Sequence, residues 1–298
     1  MPASGAHDGP VREGGDVSCF AGGGRFSLAG AQDKIPIVYY EGQVYIPTTG
    51  AATTHILKPP HLGAAAKDSV YNEYFCMRLA KACQLHVPEV FIASSEIPFY
   101  IIERYDRQVV GGESDRIHQI GFCQAQNYLV EEKYEEDGGP TLEANYACLL
   151  VNSSNGIRDV RRYIDWICFN LLIGNNDSHS KNISFIVEDD ALVLAPFYDL
   201  LCTSIYSEYA PEFAFKIGRH RAWGKLQKID LQNEITKWGL SKSPDLMVQA
   251  MAKMRATIAE QLDQQVSEFV ALFPKVKAAG RIREEINRRL ESFAKRGI

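Results

Sequence analysis

The stretch LLIGNNDSHSKNISF, Leu171 to Phe185, decides how the rest of the chain is read. Six consecutive polar residues, Asn175 to Ser180, follow an apolar segment. Lys181 and Asn182 come next, and then the chain turns apolar again. One short loop therefore holds an Asp, a His, a Lys and three Asn between two segments that read as buried. A loop can be polar for solvation alone, so its meaning depends on what else the chain brings to the same place.

Working outward, the 298 residues suffice for one large domain or two lobes. A hydrophobic content of 46% with 23% charged residues is ordinary for a globular protein. No apolar run approaches the roughly 20 residues needed to span a bilayer, so no membrane association is expected. The opening MPASGAHDGPVREGGDVSCFAGGG lacks the basic-then-apolar pattern of a signal peptide. Rich in Gly, Ala and acids, residues 1–25 are expected to form a mostly disordered tail. The seven cysteines are scattered and form no C-x-x-C, which points to reduced thiols, a cytoplasmic location and no zinc site. Most sit among apolar residues, as small core residues do. A net charge of −5 leaves no chain-wide footprint for nucleic acid. The locally basic end, KVKAAGRIREEINRRLESFAKRG, reads as the solvated face of a terminal helix.

The pattern changes character near residue 107. Before it, short β-branched or aromatic segments predict strands: KIPIVYY, GQVYIPT, THILKP, EVFIAS and PFYIIERYD. YYEGQVYIP reads as a hairpin turning near Glu41 and Gly42. One helix interrupts them, SVYNEYFCMRLAKACQL, with Tyr71, Phe75, Leu79 and Ala82 along one face. From about His118 onward the patterns are longer and helical. DVRRYIDWICFNLLIG places Val160, Ile164, Ile167 and Leu171 at helical spacing, with Asp159 near its start. Ser243–Phe273 reads as one long helix or a pair. The expected architecture is α+β and two-lobed, in the manner of a protein kinase. Residues 26–107 form a β-rich N-lobe with one helix, and 108–298 a mainly helical C-lobe.

Asp177 and Asn182 stand five apart, as D-x-x-x-x-N. Phosphoryl transfer needs a carboxylate to orient or deprotonate the attacking hydroxyl, and oxygen ligands for Mg²⁺ beside the transferred phosphate. Protein kinases supply the base and one metal ligand from a single loop at this spacing. An Asn oxygen suits a hard cation that keeps some of its waters. LVLAPFYDLL, after a hairpin expected in IVEDDALVL, offers Asp199 as a second metal-ligating carboxylate, although no D-F-G is present. Taken singly, each feature has a plain structural reading. The D-x-x-x-x-N spacing arises by chance in many proteins, Asp199 suits a turn or a cap, and His179 a loop hydrogen bond. The β-rich segment tilts the balance. GGGRFSLAGAQDK supplies the small residues that let backbone N–H groups approach phosphate, although it matches neither a Walker A loop nor G-x-G-x-x-G. THILKP ends a β-branched strand on Lys58, and Glu73 lies on the helix that follows. A strand Lys and a helix Glu can pair over nucleotide phosphates. Alone, they read as an exposed strand-end charge and a solvated helix residue. YIIERYD then stands where the lobes join, with Glu103 and Tyr105 as hinge candidates. The parts occur in kinase order, which chance seldom produces.

Together, FSLAGAQDKIPI, TTHILKPP, NEYFCMRLAKACQLHVPEV, YIIERYDR, HQIGFCQAQNY, DWICFNLLIGNNDSHSKNISF and LAPFYDL resemble the HipA-like serine/threonine kinases, toxins of bacterial toxin–antitoxin pairs. The family's GxxDxHxKN loop is present as GNNDSHSKN. The resemblance implies ATP and Mg²⁺ as cofactors, with Asp177 the catalytic Asp and Asn182 and Asp199 the metal ligands. It implies that Lys58 contacts the nucleotide phosphates, held by Glu73, and that Glu103 and Tyr105 flank adenine. Ala29, Gly30, Ala31, Gln32 and Lys34 would form the nucleotide-covering loop. His179 and Lys181 would support the catalytic loop and the transferring phosphate. Only about 25 residues precede the AGAQ loop, where full-length members carry an N-terminal β-rich subdomain, so the chain resembles a short, HipT-type member.

Ser27 directly precedes LAGAQDK, the position where kinases of this family autophosphorylate. A phosphate there would repel nucleotide phosphates from the loop; the plain alternative is a Ser that caps or solvates it. The resemblance further implies a protein acceptor such as an aminoacyl-tRNA synthetase, a HipB-like helix-turn-helix antitoxin and a small HipS-like protein. DNA would be reached only through the antitoxin. Two other functions stay open: a lipid or small-molecule kinase of the phosphoinositide-kinase type, and a non-catalytic nucleotide-binding scaffold for an antitoxin. The second is disfavoured by the intact set of Lys58, Asp177, Asn182 and Asp199.

Overall fold

The computed structural model describes residues 34–40, 42–47, 53–60, 68–93, 97–110, 113–129 and 131–298. The proposed tail, Ser27, and Ala29 to Gln32 lie outside these residues.

Five strands build an antiparallel sheet: β1 (Ile35–Tyr40), β2 (Gln43–Tyr45), β3 (His55–Lys58), β4 (Val90–Ala93) and β5 (Phe99–Glu103), in spatial order β2-β1-β3-β5-β4. The expected hairpin is β1–β2, with Tyr40 opposite Gln43 and Gly42 at φ +79°, a left-handed turn conformation that costs glycine little. Alternation divides the sheet between two cores. Ile37, Leu57, Ala93, Phe99 and Ile101 cluster on one face. Val90, Ile92, Tyr100 and Ile102 face the other way and join the main core.

That second face is covered by α1 (Ser69–Ala82). Phe75 and Leu79 of the expected stripe are fully buried, whereas Tyr71 is half-buried, turned toward the helical part, and Ala82 only partly covered. Tyr71, Tyr74 and Phe75 pack their rings on Phe269, and the first two also on Phe273. The helix therefore ties the sheet to the rest of the molecule.

After β5 the chain enters a hairpin that sequence patterns did not mark, β6 (Arg107–Val110) with β7 (Glu113–Arg116). A further strand, β8 (Gln119–Gly121), precedes the short α2 (Phe122–Ala125). The mainly helical part expected from His118 thus includes a short strand that no pattern marked, beside the expected hairpin in IVEDDALVL. Three residues are too few to show a period, and β8 exists because it pairs with β9 (Ser184–Glu188), itself paired with β10 (Ala191–Leu194).

The helical part comprises α3 (Leu142–Asn152), α4 (Gly156–Ile173), α5 (Lys228–Lys237), α6 (Leu246–Leu272) and α7 (Ala278–Lys295). The stretch expected as one helix or a pair is α6, 27 residues long and unbroken. The basic terminal helix is solvated along Arg283 and Arg288, but Arg289 is fully buried, which corrects the reading of that helix as only a solvated face. The six cysteines among the described residues are buried and free of disulfides. No described helix is long and apolar enough to cross a membrane.

Candidate functional site

The polar loop begins where α4 stops. Trp166 to Ile173 are buried without interruption, so the helix runs through the core and must end abruptly to leave it. Gly174 ends it at φ +79°, donating to Asn170 O at 3.1 Å.

Most of the loop's polarity is structural. Asn175 donates from its backbone to Asn170 O (2.9 Å) and from its amide to Asn170 Oδ1 (2.8 Å). Its own Oδ1 accepts from Asp177 N at 3.2 Å. Asn176 donates from its backbone to Thr203 Oγ1 (2.8 Å) and from its amide to Ser204 Oγ and Ala210 O. Ser180 Oγ accepts from Asn145, and Asn182 donates its amide to Asp177 O at 3.3 Å. The loop is thus polar because a buried irregular backbone needs partners, and these bonds fix the backbone of Asp177, whose side chain stays half-buried.

Lys58 ends β3, held in register opposite Tyr100 of β5. Its ammonium bonds to both oxygens of Glu73 on α1, at 2.8 and 3.1 Å, and to Asp199 Oδ1 at 2.8 Å. Lys58 and Glu73 side chains are only 6% and 5% exposed, so this is a dry ion pair, while the Asp199 side chain is 30% exposed. Burial disfavours the charge on Lys58, but Asp199 and Glu73 outweigh it and hold its pKa above the usual value. Burial raises Glu73, with Lys58 opposing. Partial burial pushes Asp199 up, but Lys58 and Lys34 outweigh it and hold the carboxyl well below the ordinary carboxylate range. Its backbone sits at φ +60°, left-handed for a non-glycine residue, with its carbonyl accepting from the Asn175 amide at 3.3 Å.

A cleft of about 210 Å³ opens beside this triad. Ile56 and Ile102 form its apolar wall, Tyr105 and Tyr198 stack at 5.8 Å between ring centres, and Lys34 and Lys58 supply positive charge. Lys34 is lowered from its usual pKa by burial and by Lys58. Glu103 lies at the rim with an exposed side chain, its N–H donating to Glu89 O. The Tyr198 hydroxyl donates to Lys181 O at 2.8 Å, which ties this wall to the loop.

His179 is buried, with no partner for Nδ1 among the described residues. Burial lowers its pKa against the pull of Asp177. Lys181 lies in the single turn Ser180–Asn182, its side chain half-buried. The structure therefore brings Lys58, Glu73 and Asp199 into contact and places Asp177, His179, Lys181 and Asn182 on the adjoining loop. The phenol of Tyr209, pushed up by burial, also feels both Asp177 and Asp199. Lys34, Glu103 and Tyr105 line the cleft. One residue escaped sequence reasoning: Tyr134 donates its hydroxyl to Asp177 Oδ1 across 43 residues. It stands in EEKYEEDGG, which carries no motif.

A putative kinase of Sinorhizobium fredii is 44% identical over 197 residues, 65% of this chain and 46% of that protein. The serine/threonine-protein kinase toxin HipA of Shewanella oneidensis is 27% identical over 267 residues, 84% of this chain and 58% of that protein. The chain spans about half the length of the curated relatives it matches. Among solved structures, Shewanella oneidensis HipA, in complex with HipB and its operator DNA, superposes with a TM-score of 0.77 at 24% identity, covering 94% of this chain and 67% of that one. The proinflammatory kinase CtkA of Helicobacter pylori gives 0.56 at 11% identity, covering 91% and 93%. At these identities the likeness shows a two-lobed, kinase-like fold. Residues 26–267 match the family model for the HipA-like C-terminal domain, and the chain belongs to that family.

Proposed function

We propose that this chain is an ATP-dependent serine/threonine protein kinase. The reading rests on the Lys58–Glu73–Asp199 triad beside a cleft lined by Lys34, Lys58, Tyr105 and Tyr198, with the loop bearing Asp177 and Asn182 joined to that wall where the Tyr198 hydroxyl meets Lys181 O. Membership of the family and the kinase relatives support it.

The donor set fits Mg²⁺ and a triphosphate. Asn182 commits its amide nitrogen to the loop, which leaves its oxygen as a ligand, and Asp199 offers a carboxylate kept ionised by two lysines. When bound, Mg·ATP would supply the phosphoryl group and the charge that stabilises its transfer. Lys58 would hold the phosphates, Lys34 would add charge near them, and Tyr105 and the Glu103 backbone would border adenine. Asp177 would accept the proton of the acceptor hydroxyl as that oxygen bonds to the γ-phosphorus and ADP leaves. His179 and Lys181 would keep the loop in shape beside the moving phosphate. With the lobes meeting near Arg107, these groups would lie on both sides of the cleft.

The acceptor is read as a Ser of a translation protein, with an aminoacyl-tRNA synthetase first, and the role as toxin of a HipBA- or HipBST-like system. HipB was solved bound to the Shewanella relative, which supports a HipB-like antitoxin partner and contact with DNA through it. A small HipS-like protein and autophosphorylation at Ser27 follow from the same family reading, as does a cytoplasmic location.

Transfer of labelled phosphate from Mg·ATP to a panel of purified synthetases is the test, beside Asp177→Asn. The variant is expected to lose at least about 100-fold in transfer while calorimetry still shows nucleotide binding. Full transfer by the variant would remove Asp177 from its role.

A further inference from the structure

Tyr134 touches the loop at the point where the chemistry is placed. Its hydroxyl donates to Asp177 Oδ1, and its ring meets His179 edge-on, 5.2 Å between ring centres. The ledge that carries it is fastened on several sides. Tyr134 O accepts from Asp137 N at 3.1 Å and Gly139 N at 2.9 Å. Glu135 accepts from Lys216 N at 2.8 Å, and Glu136 pairs with Arg221. A Cβ on Gly139 would come within 2.7 Å of Tyr134 O, so the turn that closes the ledge is packed to its limit.

A carboxylate acting as a base has to keep one oxygen aimed at the acceptor. Asp177 is fixed through its backbone by Asn175 and Asn182, which leaves its side-chain torsion to be set by something else. We propose that Tyr134 is a positioning residue for catalysis: its hydroxyl holds Oδ1 so that Oδ2 is presented to the acceptor hydroxyl. This rests on the kinase reading above. The rival role, a tyrosine that occupies the acceptor's place and must withdraw, fits the ledge poorly, because withdrawal would break the contacts of Tyr134, Glu135 and Glu136 together.

The experiment compares wild type, Tyr134→Phe and Asp177→Asn. Each is incubated with labelled Mg·ATP, following phosphate incorporated into the protein itself and phosphate released to water. Tyr134→Phe keeps the ring against His179 and removes only the hydroxyl. Loss of a hydrogen bond to a charged group corresponds to a rate change of about ten-fold or more. The expected result is a kcat lower by that factor, with the KM for ATP and the melting temperature unchanged. An unchanged kcat, a faster variant, or a loss of nucleotide affinity and melting temperature in step with kcat would each overturn the proposal. If wild type and Asp177→Asn release and incorporate phosphate equally, the kinase reading fails and this inference falls with it. If they differ and Tyr134→Phe matches wild type, this inference alone fails.

Discussion

Lys58 is the residue on which the two parts of the site meet. Its positive charge is taken out of water between Glu73 and Asp199, and only their combined attraction keeps it ionised. Lys58→Met would leave Glu73 buried without its partner, and a loss of about 3 kcal/mol in denaturant-unfolding stability is expected. Adding Glu73→Gln should recover a good part of that loss, because the unpaired charge goes with it. A double variant as unstable as the single one would show that packing, and not charge, dominates at this spot. His55, three residues earlier, gives a pH signature. Burial lowers it from 6.5 to about 4, with Thr54 Oγ1 2.8 Å from its Nδ1. The unfolded chain takes up the proton first, so the contribution of His55 is complete above pH 6.5 and is lost as the pH falls toward 4. His86 and His179 are lowered too and act in the same direction. Melting temperatures across this window should fall with pH, and His55→Gln should flatten part of the slope; an equal slope in both proteins would refute the assignment.

At the scale of elements, α4 and its terminal glycine set where the loop starts. Any side chain at Gly174 would be strained at φ +79°, and its Cβ would lie 3.0 Å from Ser204 Oγ and 3.1 Å from Arg289 Nε. Gly174→Ala should therefore cost at least about 1 kcal/mol and slow phosphate transfer, because Asn175 to Asn182 follow directly. A variant with native stability but lost transfer would also fit a loop displaced as a unit, whereas native values of both would sink this account. The strands β1 to β5 were visible as β-branched or aromatic segments, and the helices α1 and α4 in their helical spacing. The hairpin β6–β7 and the strand β8 were not, because short segments in a polar context take their form from their neighbours.

At the scale of the whole molecule, α7 closes against the back of the loop. Buried Arg289 donates to Leu171 O at 2.8 Å and Ser204 Oγ at 2.7 Å, pairs with Glu285, and lies 4.4 Å from the ring centre of Trp223. Ser204 in turn donates to Gly174 O and accepts from the Asn176 amide. Arg289→Met is expected to lower stability by about 3 kcal/mol and to reduce transfer, although it lies behind the cleft; hydrogen exchange across 171–182 should rise with it, and unchanged exchange would show that the brace is incidental. In the sequence this arginine stood among other basic residues of a helix end, and charge alone could not set it apart. What the residues determined by themselves was local or pattern-borne. The periods of strands and helices, the spacing of Asp177 and Asn182, and the order of Lys58, Glu73, the loop and Asp199 all belong to one chain direction. Tyr134 on Asp177, Asp199 on Lys58, and Arg289 beneath Gly174 were decided by the tertiary structure alone. The Tyr134–Asp177, Lys58–Asp199 and Arg289–Leu171 bonds span 43, 141 and 118 residues of chain, and a hydrogen bond or ion pair leaves no period in the sequence: it exists only once the packed core has brought its partners within reach.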